Sequence, residues 1–245
     1  MKLHIIIPAW NEEEQIRPLF EELIRVCSRL DLTWSVCLID DGSSDGTVRE
    51  AERFESRCEL GIISHPENRG VDEAFRTGFN SVAKSASAGD LVLTMEANKN
   101  ADPTLIPRMI AKSSESADIV LASCYAPGGT VVGDPFLRFV LSKGINMFLR
   151  TVFPCQGIHT YTSFYRLWNI KTVRELLDRT EGRLFHQKGF VCMADLLLKA
   201  RRIEGIRIRE VPMILKSDIR ESGSKMKVGR TIFGYLRLIL SNLRA

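Results

Sequence analysis

The sequence lacks the features that mark several large classes of protein. Its six cysteines are dispersed without a Cys-x-x-Cys pair, and several lie inside apolar runs. This usage favours a reducing compartment and argues against a zinc site. No stretch approaches the roughly 20 apolar residues of a membrane-spanning helix, so we expect no integral membrane segment in this chain. The apolar run at the N-terminus is too short for a signal peptide and stops at Pro8.

Charge is distributed unevenly along the 245 residues. The segment from Lys199 to the C-terminus carries a net charge of +8, and the residues before it carry −4. A basic segment of this kind suits nucleic acid, a phosphorylated substrate or an anionic membrane surface. No recognised nucleic-acid-binding motif accompanies it, so we expect no nucleic-acid partner. We predict one large domain over residues 1–228, followed by an amphipathic helix over residues 229–245.

Apolar runs alternate with segments of helical periodicity. The runs cover residues 3–7, 36–40, 60–64, 90–95 and 119–122. This alternation predicts an α/β fold with a mostly parallel sheet and helices on both faces. In such sheets, ligands bind beyond the carboxyl ends of the strands, so the residues that follow each run are the candidates for a site.

The second run ends in Asp40 and Asp41 and continues into a Gly/Ser turn. A carboxylate accepts hydrogen bonds only, which suits base N–H groups and ribose hydroxyls, so we predict that this pair contacts a ligand. The alternative is an ordinary strand-to-helix turn. For Asp45 we favour this alternative and predict that it caps the helix beginning near Thr47. Trp10, in the loop after the first run, is a large aromatic residue that can stack on a base.

Two further groups of polar residues follow later apolar segments. Glu96, Asn98 and Asn100 alternate beyond the fourth run, a spacing that allows convergence on one cation with oxygen ligands. A polar loop before the next helix is the alternative. A helix is predicted over residues 135–153, and four polar residues repeat along one face of it: Arg138, Ser142, Asn146 and Arg150. We interpret this stripe as the wall of a site rather than a solvated face.

These residues form an ordered series of motifs along nearly the whole chain. The series comprises P-A-W-N-E at 8–12, D-D-G-S-S-D-G-T at 40–47, N-R-G at 68–70, Y-A-P-G-G at 125–129, the Arg138, Ser142 and Asn146 spacing, T-S-F-Y-R at 162–166, E-V-P at 210–212 and R-E-S-G-S-K at 220–225. It resembles the family 2 glycosyltransferases with a GT-A fold. Within them it is most similar to the dolichyl-phosphate mannosyltransferases and polyprenyl-phosphate hexosyltransferases.

The resemblance implies transfer of a hexose from a nucleoside-diphosphate sugar to a polyprenyl phosphate, with inversion and with Mg²⁺ or Mn²⁺ as cofactor. The implied donor-binding residues are Pro8, Trp10, Glu12, Asp40, Asp41 and Glu96. The implied metal ligands are Glu96, Asn98 and Asn100. The residues implied to hold the acceptor phosphate and the leaving diphosphate are Arg138, Ser142, Arg220 and Lys225. A phosphate monoester is already anionic at neutral pH, so this reaction needs no positioned base.

The chain departs from the family pattern at four positions. Asn98 replaces the second carboxylate of D-x-D, Cys124 replaces an arginine before the loop tyrosine, and Asp72 and Phe164 replace glycines. Two other functions therefore stay open: a family 2 glycosyltransferase that uses another hydroxyl acceptor, and a catalytically impaired nucleotide-sugar-binding protein. A hydroxyl acceptor would need a carboxylate base, and the sequence does not indicate one.

The C-terminal helix carries Arg230, Arg237 and Arg244 seven residues apart, and hence on one face. Apolar residues between them suit an interfacial position, with the arginines at anionic headgroups. Docking on the core or on a partner subunit is the alternative. With a lipid-linked acceptor, we expect a cytoplasmic protein held peripherally at the cytoplasmic face of a membrane or on a membrane partner subunit.

Overall fold

The computed structural model describes residues 1–98, 101–133, 136–216 and 228–243. The strands are β1 (Lys2–Ala9), β2 (Thr33–Asp40), β3 (Glu59–Ser64), β4 (Leu91–Thr94), β5 (Ile119–Ser123), β6 (Thr130–Val132), β7 (Arg166–Asn169), β8 (Ile208–Pro212) and β9 (Ile214–Lys216). The helices are α1 (Glu13–Cys27), α2 (Thr47–Glu52), α3 (Val71–Ser85), α4 (Ile106–Ser114), α5 (Phe136–Val152), α6 (Ile170–Arg179), α7 (Cys192–Ala200) and α8 (Val228–Leu243).

Seven strands form one twisted sheet in the order β3-β2-β1-β4-β7-β5-β8. All neighbours in this sheet are parallel except β7, which runs antiparallel to both β4 and β5. Strands β6 and β9 form a separate parallel pair. The α/β fold with a mostly parallel sheet is therefore confirmed.

Both faces of the sheet are covered, which explains why its strands are apolar at nearly every position. Ile6 and Val92 pack in one buried cluster, whereas their neighbours Ile5 and Leu93 pack in another, as expected for side chains that alternate along a strand. Helices α3, α6 and α7 contribute to the first cluster, and α1, α2 and α4 contribute to the second.

Strand β7 is absent from the predicted pattern, although its first residue, Arg166, closes one of the motifs. The strand is only four residues long and carries a buried arginine among apolar neighbours, so no alternation was visible. Its position between β4 and β5 connects the segment after α5 to the middle of the sheet.

Helix α8 has two apolar faces. Tyr235 and Leu238 are buried in the first core cluster, and Gly234 lies against Val191, where a Cβ would come within 2.9 Å of the valine Cγ2. The opposite face exposes a row of apolar residues: Ile232, Phe233, Leu236, Leu240 and Leu243. The helix is thus docked on the core while a second apolar face remains at the surface, and the domain boundary at residue 228 stays a prediction.

Candidate functional site

Three strand ends meet at one edge of the sheet. In the register of the parallel strands, Asp40 lies beside Ala9, and Thr94 lies beside Ile6. Because neighbouring strands are about 4.8 Å apart, the ends of β2 and β4 lie about 10 Å apart with β1 between them. Folding thus brings the 8–12 loop, the Asp40–Asp41 turn and the residues after β4 to one edge, as the sequence predicted.

Asp41 is buried and organises the turn that leads into α3. Its Oδ1 accepts hydrogen bonds from Arg69 N (3.0 Å) and lies 2.7 Å from His65 Nδ1, while its Oδ2 accepts one from Gly70 N (2.8 Å). His65 Nε2 lies in turn 2.9 Å from Thr77 Oγ1 on α3. These contacts hold Asp41 in place without a ligand, so its predicted contact with a nucleoside stays a prediction.

His65 is a residue that the sequence analysis missed. It follows β3 directly, at the carboxyl end of a parallel strand, and that position was the signal available to find it. Asp40 has a simpler environment: it is buried, and its Oδ1 accepts a hydrogen bond from Ser43 N (3.0 Å).

The 8–12 loop is tied to the turn after β2. Asn11 N donates to Ser43 Oγ (2.9 Å), and Glu12 N donates to Thr47 Oγ1 (2.8 Å). Within this loop Pro8 and Glu12 are buried, whereas 38% of the Trp10 side chain remains exposed at the strand end. An exposed indole at a ligand-binding edge is consistent with the predicted stacking role.

Gly46 is the N-cap residue of α2, so the prediction that Asp45 caps this helix is wrong by one position, although Asp45 does bind the start of the helix. Its Oδ1 accepts a hydrogen bond from Thr47 N (3.0 Å) at the first residue of α2. Burial acts to raise the pKa of the Asp45 carboxyl, but hydrogen bonds from Thr47 and from Glu13 N together outweigh it, and the pKa is lowered.

Glu96 and Asn98 follow β4 at the edge of the sheet, with Glu96 half-buried and Asn98 buried. Asn100 lies outside the described residues. A carboxylate and an amide supply the hard oxygen atoms that Mg²⁺ and Mn²⁺ prefer, so the two residues fit a divalent cation by their chemistry. Among the described residues there is no cluster of three or more His, Cys, Asp or Glu, so a bound cation would draw its remaining ligands from elsewhere.

Two residues of the polar stripe on α5, Ser142 and Asn146, bind neighbouring segments, and the role of the stripe as the wall of a site stays a prediction. Ser142 Oγ accepts a hydrogen bond from the Tyr125 hydroxyl (2.9 Å), and Asn146 accepts one from Tyr161 N (2.6 Å). Asn146 also donates to Thr162 Oγ1 (3.1 Å). The stripe on α5 therefore joins the loop after β5 to the 161–163 segment. Arg138 is half-buried on this helix, while Arg220 and Lys225 lie outside the described residues.

A cavity of about 430 Å³ opens between α5 and the loop after β5. Its lining residues are Cys124, Tyr125, Gly129, Thr130, Val131, Phe139, Lys143, Asn146, Met147, Arg150 and His159. Two α5 cations line it, and none of the lining residues is acidic.

His159 contacts the carboxylate of Glu210, the first residue of the E-V-P motif at 210–212. Its Nδ1 lies 2.9 Å from Glu210 Oε2, and Glu210 Oε1 accepts hydrogen bonds from His159 N (2.8 Å) and Thr160 N (2.7 Å). Glu210 comes from β8, which lies next to β5 in the sheet, so only the strand pairing brings the two residues together.

The four departures from the family pattern occupy different environments. Cys124 forms part of the cavity wall and Asn98 follows β4, whereas Phe164 stacks on Phe75 with ring centroids 5.6 Å apart. Asp72 is buried at the start of α3 and accepts a hydrogen bond from Gly189 N (2.7 Å). Phe164 thus fills the core, and Asp72 connects α3 to the turn before α7.

Comparison with known proteins identifies relatives over nearly the whole chain. A family model described as Glycosyl transferase family 2 matches residues 4–177. A dolichol-phosphate mannosyltransferase of Pyrococcus furiosus is 30% identical over 240 residues, which make up 98% of this chain and 63% of the relative. A polyprenol monophosphomannose synthase of Mycolicibacterium smegmatis is 27% identical over 230 residues, or 93% of this chain and 82% of the relative.

The chain spans less than two thirds of the length of the Pyrococcus relative. An undecaprenyl-phosphate 4-deoxy-4-formamido-L-arabinose transferase of Proteus mirabilis is 36% identical over 122 residues, and this match covers 36% of the relative. Among the helices in the described part of the chain, none has the length and apolarity needed to cross a bilayer.

The fold also has counterparts among solved structures. A glucosyl-3-phosphoglycerate synthase from Mycobacterium tuberculosis, in complex with Mn²⁺ and UDP-glucose, superposes with a TM-score of 0.68. The match covers 98% of this chain and 78% of that chain at 17% identity, so it concerns the fold alone.

Proposed function

The chain belongs to glycosyl transferase family 2 and is a glycosyltransferase, and we propose that it transfers a hexose from a nucleoside-diphosphate sugar to a polyprenyl phosphate, with inversion. The observation that carries this proposal is the convergence of two kinds of site at one edge of the sheet. Carboxylates and an aromatic residue follow β1, β2 and β4, while a cavity lined by cations lies beside α5. The three relatives are named for transfer to dolichyl, polyprenyl or undecaprenyl phosphate, which supports a lipid phosphate as acceptor.

The donor is proposed to bind at the strand ends. Asp40, Asp41 and Glu12 would accept hydrogen bonds from the base and ribose, Trp10 would stack on the base, and Pro8 would shape the loop. These carboxylates suit the nucleoside end of the donor, whereas they would repel its diphosphate. A cation held by Glu96 would offset this repulsion.

Glu96 and Asn98, with Asn100 as a third ligand, are proposed to hold Mg²⁺ or Mn²⁺. When bound, the cation supplies positive charge that stabilises the leaving diphosphate. Asn98 contributes an oxygen without a charge, so we expect weaker cation binding than a D-x-D pair would give. The structural counterpart from M. tuberculosis contains Mn²⁺ with its nucleotide sugar, which supports a metal-assisted reaction.

The acceptor phosphate is proposed to lie against α5. Arg138 and Ser142 would hold its oxygens, and Arg220 and Lys225 would neutralise the acceptor phosphate or the departing diphosphate. At neutral pH the monoester already carries most of its second negative charge, so it attacks the anomeric carbon from the face opposite the leaving group without a base. Catalysis then consists of alignment and charge neutralisation.

A polyprenyl acceptor places the enzyme at a membrane, and we propose peripheral contact at the cytoplasmic face. The exposed apolar row on α8, with Arg237 exposed beside it, suits an interfacial helix. A membrane partner subunit that covers the same row is the other occupant to be tested.

A hydroxyl acceptor is the second candidate, and one observation favours it. His159 lines the cavity, and its Nδ1 lies 2.9 Å from Glu210 Oε2, a pairing that would orient the imidazole as a base for a hydroxyl acceptor. For a hydroxyl acceptor we expect His159→Gln to lower kcat by about 100-fold or more. A loss confined to the KM of the acceptor favours the phosphate acceptor instead.

The test is release of nucleoside diphosphate from a panel of GDP- and UDP-sugars, with and without polyprenyl phosphate and Mn²⁺. We expect release that requires both additions and is lost in Arg138→Ala, while Arg108→Ala on the exposed face of α4 serves as the charge-matched control. Release that proceeds equally well with a sugar or polyketide hydroxyl and no lipid would replace the proposal with the second candidate. Donor binding without turnover of any donor would contradict both.

A further inference from the structure

The cavity beside α5 has a composition that the family motifs do not account for. Of its lining residues, Lys143 and Arg150 belong to none of the motifs through which the chain resembles its family. The two are seven residues apart on α5 and therefore project from the same face of the helix. A cavity of about 430 Å³ with two cations from one helix face is suited to an anion.

The described residues that line the cavity include two cationic side chains and no acidic side chain. Lys143 Nζ lies 5.6 Å from the centroid of the Phe139 ring, and neither Lys143 nor Arg150 has a carboxylate partner among the residues that the structure describes. The carboxylate that contacts the lining residue His159 is Glu210, and it also accepts hydrogen bonds from two backbone N–H groups. The positive charge of Lys143 and Arg150 is thus not neutralised within the described part of the chain.

The position of Cys124 suggests a role for the positive charge of Lys143 and Arg150. The family pattern has an arginine immediately before the loop tyrosine, where it is a bidentate donor for phosphate. In this chain that position is Cys124, and it lines the same cavity as Lys143 and Arg150. The guanidinium lost from the loop is therefore matched by two cations on the facing helix.

The apolar residues of the lining indicate that the ligand has an apolar part as well as an anionic one. Val131, Phe139 and Met147 line the cavity together with the cations. Met147 is 67% exposed, and Phe136 and Val140 on the same side of α5 are 82% and 44% exposed, so the apolar lining continues onto the outer surface of the helix. This combination fits a phosphate monoester whose other end is an apolar chain.

We propose that Lys143 and Arg150 join Arg138 and Ser142 in binding the phosphate monoester of the acceptor, and that they take over the role of the arginine that Cys124 replaces. The phosphate would then lie between α5 and the loop after β5, with its apolar chain leaving past Met147. The inference rests on the proposed function for the identity of the acceptor, but the anion site itself is testable without turnover.

The first experiment measures binding to the full chain by calorimetry, with citronellyl phosphate and glycerol 3-phosphate as probes and no donor present. We expect citronellyl phosphate to bind, and Lys143→Gln and Arg150→Gln each to weaken it about tenfold, the equivalent of one charge-assisted hydrogen bond. Arg108→Gln on α4 is the charge-matched control and should leave the affinity unchanged. If glycerol 3-phosphate binds equally well with the same dependence, the anion site stands and the lipid acceptor does not.

The second experiment tests whether an arginine at position 124 can replace Lys143 and Arg150 in binding the phosphate. In the Lys143→Gln/Arg150→Gln double variant, we expect Cys124→Arg to restore at least part of the affinity for citronellyl phosphate. Unchanged circular dichroism spectra and urea midpoints would show that each variant is folded. If the variant with Cys124→Arg does not fold, the affinities of the two single glutamine variants test the proposal. The proposal is overturned if neither probe binds, or if binding is indifferent to both glutamine substitutions. A failure of donor turnover with intact probe binding would contradict the proposed function alone.

Discussion

Asp72 differs from the family pattern and has a structural contact of its own. Its side chain is buried, and the carboxylate accepts a hydrogen bond from Gly189 N. Burial raises the pKa of the Asp72 carboxyl, and the hydrogen bond from Gly189 opposes this only in part. The carboxylate therefore joins α3 to the turn before α7 at a cost in stability at neutral pH.

The pH dependence of stability follows from the sign of that shift. Because the folded state binds the Asp72 proton more tightly, the free energy of unfolding falls as the pH rises from the ordinary pKa of an aspartate, about 3.9, towards the raised one. Asparagine keeps an acceptor for Gly189 N without the charge. We expect Asp72→Asn to lack this fall and to be at least as stable as the parent chain at neutral pH, as measured by urea denaturation across the acid range.

Asp90 is the matched control, because its shift has the opposite sign. Burial acts to raise the pKa of Asp90, but hydrogen bonds from Ser87 N, Lys2 N and His4 outweigh it, and the pKa is lowered. Its contribution is present above the ordinary pKa and is lost as the pH falls through the lowered value. Asp90→Asn should therefore be less stable at neutral pH, and an equal loss in Asp72→Asn would contradict the assignment.

Arg166 is fully buried and serves the site indirectly. Its guanidinium donates to the carbonyl oxygens of Tyr161 (2.8 Å), Ser163 (2.7 Å) and Met193 (2.8 Å), and burial lowers its pKa to about 9. We expect Arg166→Met to leave these carbonyls unsatisfied and to lower the free energy of unfolding by about 3 kcal/mol or more. Lysine concentrates its donors on one atom, so Arg166→Lys should recover only part of this loss in the same urea titration. Equal stability of the methionine variant and the parent would contradict the role.

At the scale of elements, α5 and α8 each bury one face and expose apolar residues on another. Leu149 of α5 and Leu238 of α8 are buried in the same core cluster. Their exposed apolar residues lie outside that cluster. Exposed apolar surface of this kind is typical of a site that contacts a membrane or a partner. For α8 this supports both readings of the C-terminal helix at once: it is docked on the core and also has a surface suited to an interface.

The two faces of α8 should separate stability from membrane contact. Leu238→Ala removes a fully buried side chain and is expected to lower the free energy of unfolding by about 2 to 5 kcal/mol. Phe233→Ser with Leu236→Ser changes only exposed residues, so stability should hold while sedimentation with anionic lipid vesicles is lost. Vesicle binding that survives the double serine substitution would assign the exposed row to a partner subunit or to a second copy of the chain.

At the level of the whole molecule, the proposed donor site requires the folded chain. Asp41 and Glu96 come from strands separated by β1, and no two of the three loops are adjacent in sequence. A ligand that spans the loops binds the folded state alone and stabilises it by mass action, by about 2.7 kcal/mol at a concentration of 100 times Kd.

The prediction at this scale concerns the cation. We expect UDP or GDP to raise the unfolding midpoint more with Mn²⁺ than without it, and Glu96→Gln to abolish the Mn²⁺-dependent part. Asn98→Asp adds the missing carboxylate and should lower the Mn²⁺ concentration needed for half of the effect, because a charged ligand binds a divalent cation more strongly. A midpoint that responds to the nucleotide but not to Mn²⁺ in any of the three proteins would remove the cation from the proposal.

The sequence by itself determined the fold class and most of the strand ends, because both depend on local patterns. Alternating apolar runs and helical segments permit few arrangements other than a parallel sheet with crossover helices, and parallel strands place their carboxyl ends on one edge. The positions of Asp40, Asp41 and Glu96 at strand ends, and of the polar stripe on α5, were therefore predicted without coordinates, while their roles in a site stay predictions. Strand β7 escaped because four residues with a buried arginine carry no periodicity.

Contacts between distant segments were decided by the tertiary structure alone. His65 with Asp41, His159 with Glu210 and Asp72 with Gly189 are separated by 24, 51 and 117 residues. No local propensity encodes such pairs, since each depends on the order of the strands and on how the helices pack against the sheet. For the same reason, whether a polar residue on an element lines a cavity, caps a helix or sits in the core was settled only when the chain folded around it.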